Sequence, residues 1–205
     1  MSRTESLMVA LGTPAPDFML LDVTSDTTMG LADLMASSNG PRRGLLIIFA
    51  CVHCPYVKHL EEEIGRIGRD YYGAHGEGPI AIAAIQSNDT IEYPDDGPDG
   101  MREQAKRLGW TFPYLLDESQ EVARAYDAAC TPDFFLFDND LRLVYRGQLD
   151  DSRPKRSGGF GNDIPVTGKD LRSALDAVVA GQQPPAEQRS SIGCNIKWRS
   201  ESRLP

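Results

Sequence analysis

The chain has 205 residues, 40% hydrophobic and 25% charged, which fits one ordinary globular domain with trimmings. Its 30 acidic against 21 basic side chains give a net charge of −9, which argues against nucleic acid or an anionic membrane as partner. The N-terminus lacks a basic start followed by an apolar stretch, so a cytoplasmic location is expected, and there four cysteines point to packing, metal or turnover rather than a disulfide framework.

In chain order, a turn-rich opening over residues 12–18 leads into a short strand at 19–23, and 31–35 suits one helical turn. Residues 44–50 are an unbroken apolar run that reads as a buried strand. Cys51-Val52-His53-Cys54 follows at once, and Pro55 opens a helical pattern over 55–64. A Cys-x-x-Cys between a buried strand and a helix puts its first sulfur at the helix N-terminus. There unpaired backbone N–H groups and the helix dipole stabilise a thiolate. The two-residue spacing lets the second sulfur close a compact disulfide, so thiol–disulfide exchange is the implied chemistry. A zinc knuckle would need a second pair at similar spacing, whereas Cys130 and Cys194 stand alone, so neither metal nor organic cofactor is expected.

A second buried strand at 80–86 completes a parallel βαβ unit. The polar loop 87–100 then sits at that strand's carboxyl end, where loops commonly face the site, with Asn88 and Asp89 on its rim. Helical spacing over 101–108, a strand at 112–116, a short helix at 120–126 and a hairpin of 134–138 with 141–146 follow. Asn88-Asp89 and the charged stretch from Asp150 to Arg156 read as solvated, and 169–180 as a closing amphipathic helix. Gly158-Gly159-Phe160-Gly161 lacks the strand-then-helix context of a nucleotide loop. Residues 1–180 thus form the domain and 181–205 a polar tail. Alternation of Ile192, Cys194, Ile196 and Trp198 suits an extended segment docked on the body.

This order of elements, with Thr131-Pro132 just before the hairpin, resembles the thioredoxin-like fold, an α/β architecture with a central mixed sheet flanked by helices. Pro132 then stands at that superfamily's cis-proline, beside the active cysteines. The stretch Thr13-Pro14-Ala15-Pro16-Asp17-Phe18 is similar to the N-terminal extension of peroxiredoxins and related reductases. Cys54-Pro55-Tyr56-Val57-Lys58-His59, Ser87-Asn88-Asp89, Cys130-Thr131-Pro132-Asp133-Phe134-Phe135, Tyr145-Arg146-Gly147-Gln148 and Gly193-Cys194-Asn195-Ile196-Lys197-Trp198 resemble an uncharacterised group of peroxiredoxin-like redoxins, related to alkyl hydroperoxide reductase and thiol-specific antioxidant. In peroxiredoxins a Thr three residues before the peroxidatic Cys helps bind peroxide, and an Arg near the cis-proline steadies the thiolate. Cys51 stands in the place of that Thr and Cys130-Thr131 in the place of that Arg, so the resemblance implies a dithiol reductase on a peroxiredoxin-like frame.

The expected mechanism has Cys51, taken as the more exposed sulfur, attacking a substrate disulfide, with Cys54 resolving the mixed disulfide and His53 tuning the pKa. Cys130 is a candidate third redox sulfur near the pair. Cys194 is its candidate partner, in a disulfide that would couple oxidation to tail order. His59 is a candidate nearby base that reads better as a surface residue. The expected partners are a disulfide substrate and a thiol reductant system, with oligomeric state left open. Three alternatives stand beside this reading: a thiol peroxidase using Cys51 or Cys54, a metal module of Cys51, Cys54 and Cys130 with Cys194 or His53, and a redox sensor.

Overall fold

The run Leu45-Leu46-Ile47-Ile48-Phe49 has no polar face to offer water, so it is stable only as a strand covered on both sides. In the computed structural model, which describes residues 3–37, 40–155 and 161–200, it lies inside a seven-stranded mixed sheet. Arg156 and Gly158-Gly159-Phe160 lie outside the described residues. The elements in chain order are β1 (Arg3–Glu5), β2 (Met19–Asp22), β3 (Thr27–Gly30), α1 (Leu31–Met35), β4 (Gly44–Phe49), α2 (Pro55–Ile67), β5 (Ile80–Gln86) and α3 (Pro98–Leu108). After them come β6 (Tyr114–Leu116), α4 (Glu121–Ala125), β7 (Cys130–Thr131), β8 (Asp133–Asp138), β9 (Leu143–Gly147), α5 (Lys169–Val179) and β10 (Ile192–Asn195).

The large sheet runs β3-β2-β6-β5-β4-β8-β9, with β4 parallel to β5 and antiparallel to β8. Because side chains alternate along a strand, β4 feeds two cores. Leu46 and Ile48 pack with Val57, Leu60 and Ile64 of α2 and Leu171 and Leu175 of α5. Leu45, Ile47 and Phe49 pack on the other face with Leu31 and Leu34 of α1 and Val122 and Ala123 of α4. This is the thioredoxin-like arrangement, and it fixes the C-terminal end of β4 and the start of α2 from both sides.

A second, three-stranded sheet runs β1-β10-β7, all antiparallel, and sets Cys194 opposite Thr131 and Asn195 opposite Cys130. A Cβ on Gly193 would meet the Thr131 carbonyl oxygen at 2.1 Å, so only glycine lets β10 come this close to β7. Beyond β10 the Asn88 Oδ1 accepts from the Lys197 N–H at 2.8 Å, and the Asp89 N–H donates to the Lys197 carbonyl at 2.8 Å. Trp198, though exposed, lies under the Arg124 guanidinium at 4.4 Å from ring centroid to Cζ.

These contacts correct two readings of polar sequence as solvated loop. Asn88 and Asp89 are buried because their polar groups anchor the segment after β10. Asp150 is buried because its carboxylate accepts the Thr167 and Gly168 N–H groups, at 2.6 and 2.7 Å, ahead of α5. Both are side chains replacing water for orphan backbone donors.

Candidate active site

β4 gives out at Phe49, and the chain turns through Cys51-Val52-His53 before Cys54 caps α2 with extended backbone and Pro55 takes the first helical position. The exposed N–H groups of this turn have a dedicated acceptor. Asp96 Oδ1 accepts from Val52 N at 2.8 Å and His53 N at 3.0 Å. Asp96 Oδ2 accepts from Asn88 Nδ2 at 2.8 Å and lies 2.5 Å from His53 Nδ1. The Asp96 carbonyl takes a further hydrogen bond from Gln86 Nε2 at 2.8 Å. Asp96 is fully buried, so this network places a fixed negative charge beneath the Cys-x-x-Cys turn.

Asp96, an acceptor, orients the His53 ring through Nδ1 and turns Nε2 the other way. That atom is buried without a hydrogen-bond partner among the described residues. The ring stacks on Tyr93, with centroids 5.1 Å apart and planes 10° from parallel. Cys51 Sγ, a His53 ring nitrogen and an Asp96 oxygen lie within 4.8 Å of one another. As a metal site this trio fits poorly, since four N–H donors already occupy the carboxylate and the Cys51 sulfur favours its proton. As an orienting device for His53 it fits well.

The Thr131–Pro132 peptide is cis, and Thr131 touches both sulfurs. Its Oγ1 lies 3.2 Å from Cys51 Sγ and its carbonyl oxygen 3.1 Å from Cys54 Sγ. Both cysteines have no exposed surface, which overturns the expectation that Cys51 is the more exposed sulfur: Thr131 and the Asp96 turn close over it. Burial raises the Cys51 thiol well above its ordinary value, helped by its hydrogen bond to Cys54 and the Asp96 charge. Burial works against ionising Cys54 too, but hydrogen bonds from Cys194, Cys51, the Val57 backbone and Thr131 outweigh it and bring this thiol far down. The Thr131 carbonyl is the one contact that suits a protonated Cys54, and the converging donors outnumber it. The surroundings thus push the two thiols apart, Cys51 upward and Cys54 downward.

The remaining cysteines exchange the places expected of them. Strand alternation across β7 turns Cys130 to the opposite face from Thr131, where its sulfur reaches the Pro132 carbonyl at 3.6 Å. Burial raises it well above the ordinary thiol range, with the Asp133 and Cys54 charges adding to this. Cys194 shares the face of Thr131 and joins Cys51 and Cys54 in one buried cluster. A Cys130–Cys194 pair is thus disfavoured by the register itself. His59, expected at the surface, is half-buried in a cleft with Tyr56, Pro132, Asp150 and Arg153, and burial lowers its pKa.

Asp133, next after the cis-proline, is fully buried and has one carboxylate oxygen without a partner among the described residues. Burial, against backbone N–H groups of Ala129, Phe134 and Cys130, pushes its pKa up to about 8. An unfolded aspartate titrates near ~4, so the folded chain retains a proton that the unfolded chain releases. Stability is then full below that pH and falls as pH rises toward 8. Asp133→Asn is expected to flatten this fall and to gain a few kcal/mol, roughly, at the alkaline end. Urea midpoints at mildly acidic and mildly alkaline pH check it; parallel curves for both proteins would refute it.

The family model described as Redoxin matches residues 10–162. An uncharacterized conserved protein from Geobacillus kaustophilus, whose crystal structure is solved, is 48% identical, with a TM-score of 0.88 and 98% of each chain covered. Thiol-disulfide oxidoreductase ResA of Geobacillus kaustophilus (strain HTA426) is 27% identical over 150 residues, 71% of this chain and 75% of that one. The thioredoxin domain of a thiol-disulfide oxidoreductase from Bacteroides vulgatus is 15% identical, with a TM-score of 0.51 over 67% of this chain and 88% of that one, a likeness of fold alone. The family match spans every strand of the large sheet, the Cys-x-x-Cys turn and the cis-proline, and the chain belongs to the Redoxin family.

Proposed function

We propose that the protein is a thiol-disulfide oxidoreductase that acts on protein or small-molecule disulfides through Cys51 and Cys54. The observation that carries this reading is the pair itself: two sulfurs at the start of α2, both touching Thr131 of the cis-proline loop, with surrounding hydrogen bonds that lower the Cys54 pKa. The Cys54 thiolate attacks one sulfur of a substrate disulfide, and the other leaves as a thiolate that takes up a proton. Cys51 then gives its proton to the His53 imidazole, a ring nitrogen of which lies within 4.8 Å of the Cys51 sulfur, and attacks Cys54. The second substrate thiol leaves, the Cys51–Cys54 disulfide closes, and a thiol reductant restores the pair. Substrate approach is proposed along the groove lined by Val52, His53, Lys58, Pro94 and Arg107. The relatives named thiol-disulfide oxidoreductase support the reading.

Thiol mapping by mass spectrometry across a series of glutathione redox buffers tests it. A Cys51–Cys54 disulfide that closes reversibly at a defined potential is expected. Sulfurs that form no disulfide and resist alkylation until a chelator is added would replace the dithiol by a metal centre. A thiol peroxidase is the second reading, favoured by the depressed pKa of Cys54 and by Pro55 behind it. Its signature is a sulfenic acid on Cys54 after brief exposure to hydrogen peroxide. The cytoplasm is proposed as the location, and cell fractionation tests it.

A further inference from the structure

Cys54 has two sulfur neighbours. β10 enters between β1 and β7 and places Cys194 directly opposite Thr131, the residue whose hydroxyl and carbonyl contact the active sulfurs at 3.2 and 3.1 Å. Opposed residues of an antiparallel pair present their side chains to the same face, so Cys194 shares the face of the active pair. Only 1% of Cys194 is exposed, and its side chain is hydrogen-bonded to Cys54. Gly193 makes this possible, because any side chain there would run into the Thr131 backbone. Cys54 is thus flanked by Cys51 on its own turn and by Cys194 from a strand far along the chain.

We propose that Cys194 is a second resolving thiol, which exchanges with the Cys51–Cys54 disulfide to form a Cys54–Cys194 disulfide. Cys194 loses its proton and its sulfur attacks Cys54. The Cys54–Cys51 bond breaks, and Cys51 leaves as a thiolate that takes up the released proton. One disulfide replaces another, so no electrons enter or leave. The new bond ties the start of α2 to β10 and holds the C-terminal strand over the cis-proline loop. It also occupies Cys54, so the enzyme is parked in an oxidised form until a reductant reaches it. Cys130, on the far face of β7, takes no part.

The proposal rests on the dithiol reading for its supply of the Cys51–Cys54 disulfide, and the test separates the two. Cys51→Ser protein is oxidised with diamide, alkylated, and digested without reduction. A Cys54–Cys194 peptide in most molecules, with Cys130 alkylated, is expected. Alkylated Cys194, with Cys54 left as thiol or paired between molecules, would overturn the proposal. Wild-type protein in graded glutathione buffers guards against a misfolded variant. There a Cys54–Cys194 form beside Cys51–Cys54 is expected, and Cys194→Ser should remove it. Cys51–Cys54 alone at every potential, with no new bond in the variant, sinks the second thiol and leaves the reductase reading standing. No Cys51–Cys54 in wild type sinks the reductase reading, and the diamide result still decides the role of Cys194.

Discussion

Cys54→Ser is expected to lower disulfide-reducing turnover by about a thousandfold or more, as removal of an enzyme nucleophile does. The reason lies in where the charge sits. Cys194, Cys51, the Val57 backbone and Thr131 all hydrogen-bond to the Cys54 sulfur, whereas burial and the Asp96 charge keep the proton on Cys51. Only the thiolate attacks, so in the proposed mechanism Cys54 starts the reaction and Cys51 finishes it. The Cys51→Ser, Cys194→Ser double variant should therefore accumulate a mixed disulfide on Cys54, and Cys54→Ser should accumulate none on Cys51. Turnover with a dithiol donor and intact-mass analysis read both effects. A stable adduct on Cys51 in Cys54→Ser would reverse the two roles, returning them to the assignment drawn from the motif's strand-to-helix context.

Asp96→Ala carries the largest expected loss of stability for one side chain. It strands the Val52 and His53 N–H groups, His53 Nδ1 and Asn88 Nδ2 in a buried pocket. Each stranded donor costs about 1–3 kcal/mol, so even with partial rearrangement the total is at least about 3 kcal/mol. For a chain of this size that lowers the melting temperature by roughly 10 °C. Asp96→Asn keeps an acceptor for the two backbone groups and should cost less, but it frees the His53 tautomer. Its turnover is expected to fall about a hundredfold, the scale of a lost general base, with KM little changed. Thermal unfolding of both variants and steady-state kinetics of Asp96→Asn check these outcomes. An Asp96→Asn enzyme with unaltered turnover would show that His53 is no proton acceptor.

Much of this was legible in the chain, and the parts that were not have physical reasons. β4, β5 and α2 announce themselves because an unbroken apolar run and a helical stripe leave few alternatives. β1, β3 and β7 do not, since Arg-Thr-Glu, Thr-Thr-Met-Gly and Cys-Thr carry neither an apolar run nor an alternation. The Cys-x-x-Cys site was readable from its strand-to-helix context, and Pro132 from family likeness. Asp96 was not, because Asp95, Asp96 and Asp99 look alike in a Pro-rich loop and only the short turn Pro94–Asp96 points one of them inward. The available signal was the loop's place after a parallel strand, which marked the region without choosing the residue. The faces taken by Cys130 and Cys194 were hidden for a similar reason: adjacency puts Cys130 beside Thr131, but only the β7–β10 register decides which face each sulfur takes.

The small sheet also sets an order of assembly. Its middle strand, β10, joins residues near one end of the chain to a cysteine loop made much earlier, so it forms only after Asn195 has been synthesised. At ordinary translation rates the interval between Cys54 and Asn195 is on the order of ten seconds. During that interval Cys54 lacks the Cys194 hydrogen bond that helps to lower its pKa. The sulfur therefore gains its full set of stabilising contacts only when the last strand of the small sheet is in place.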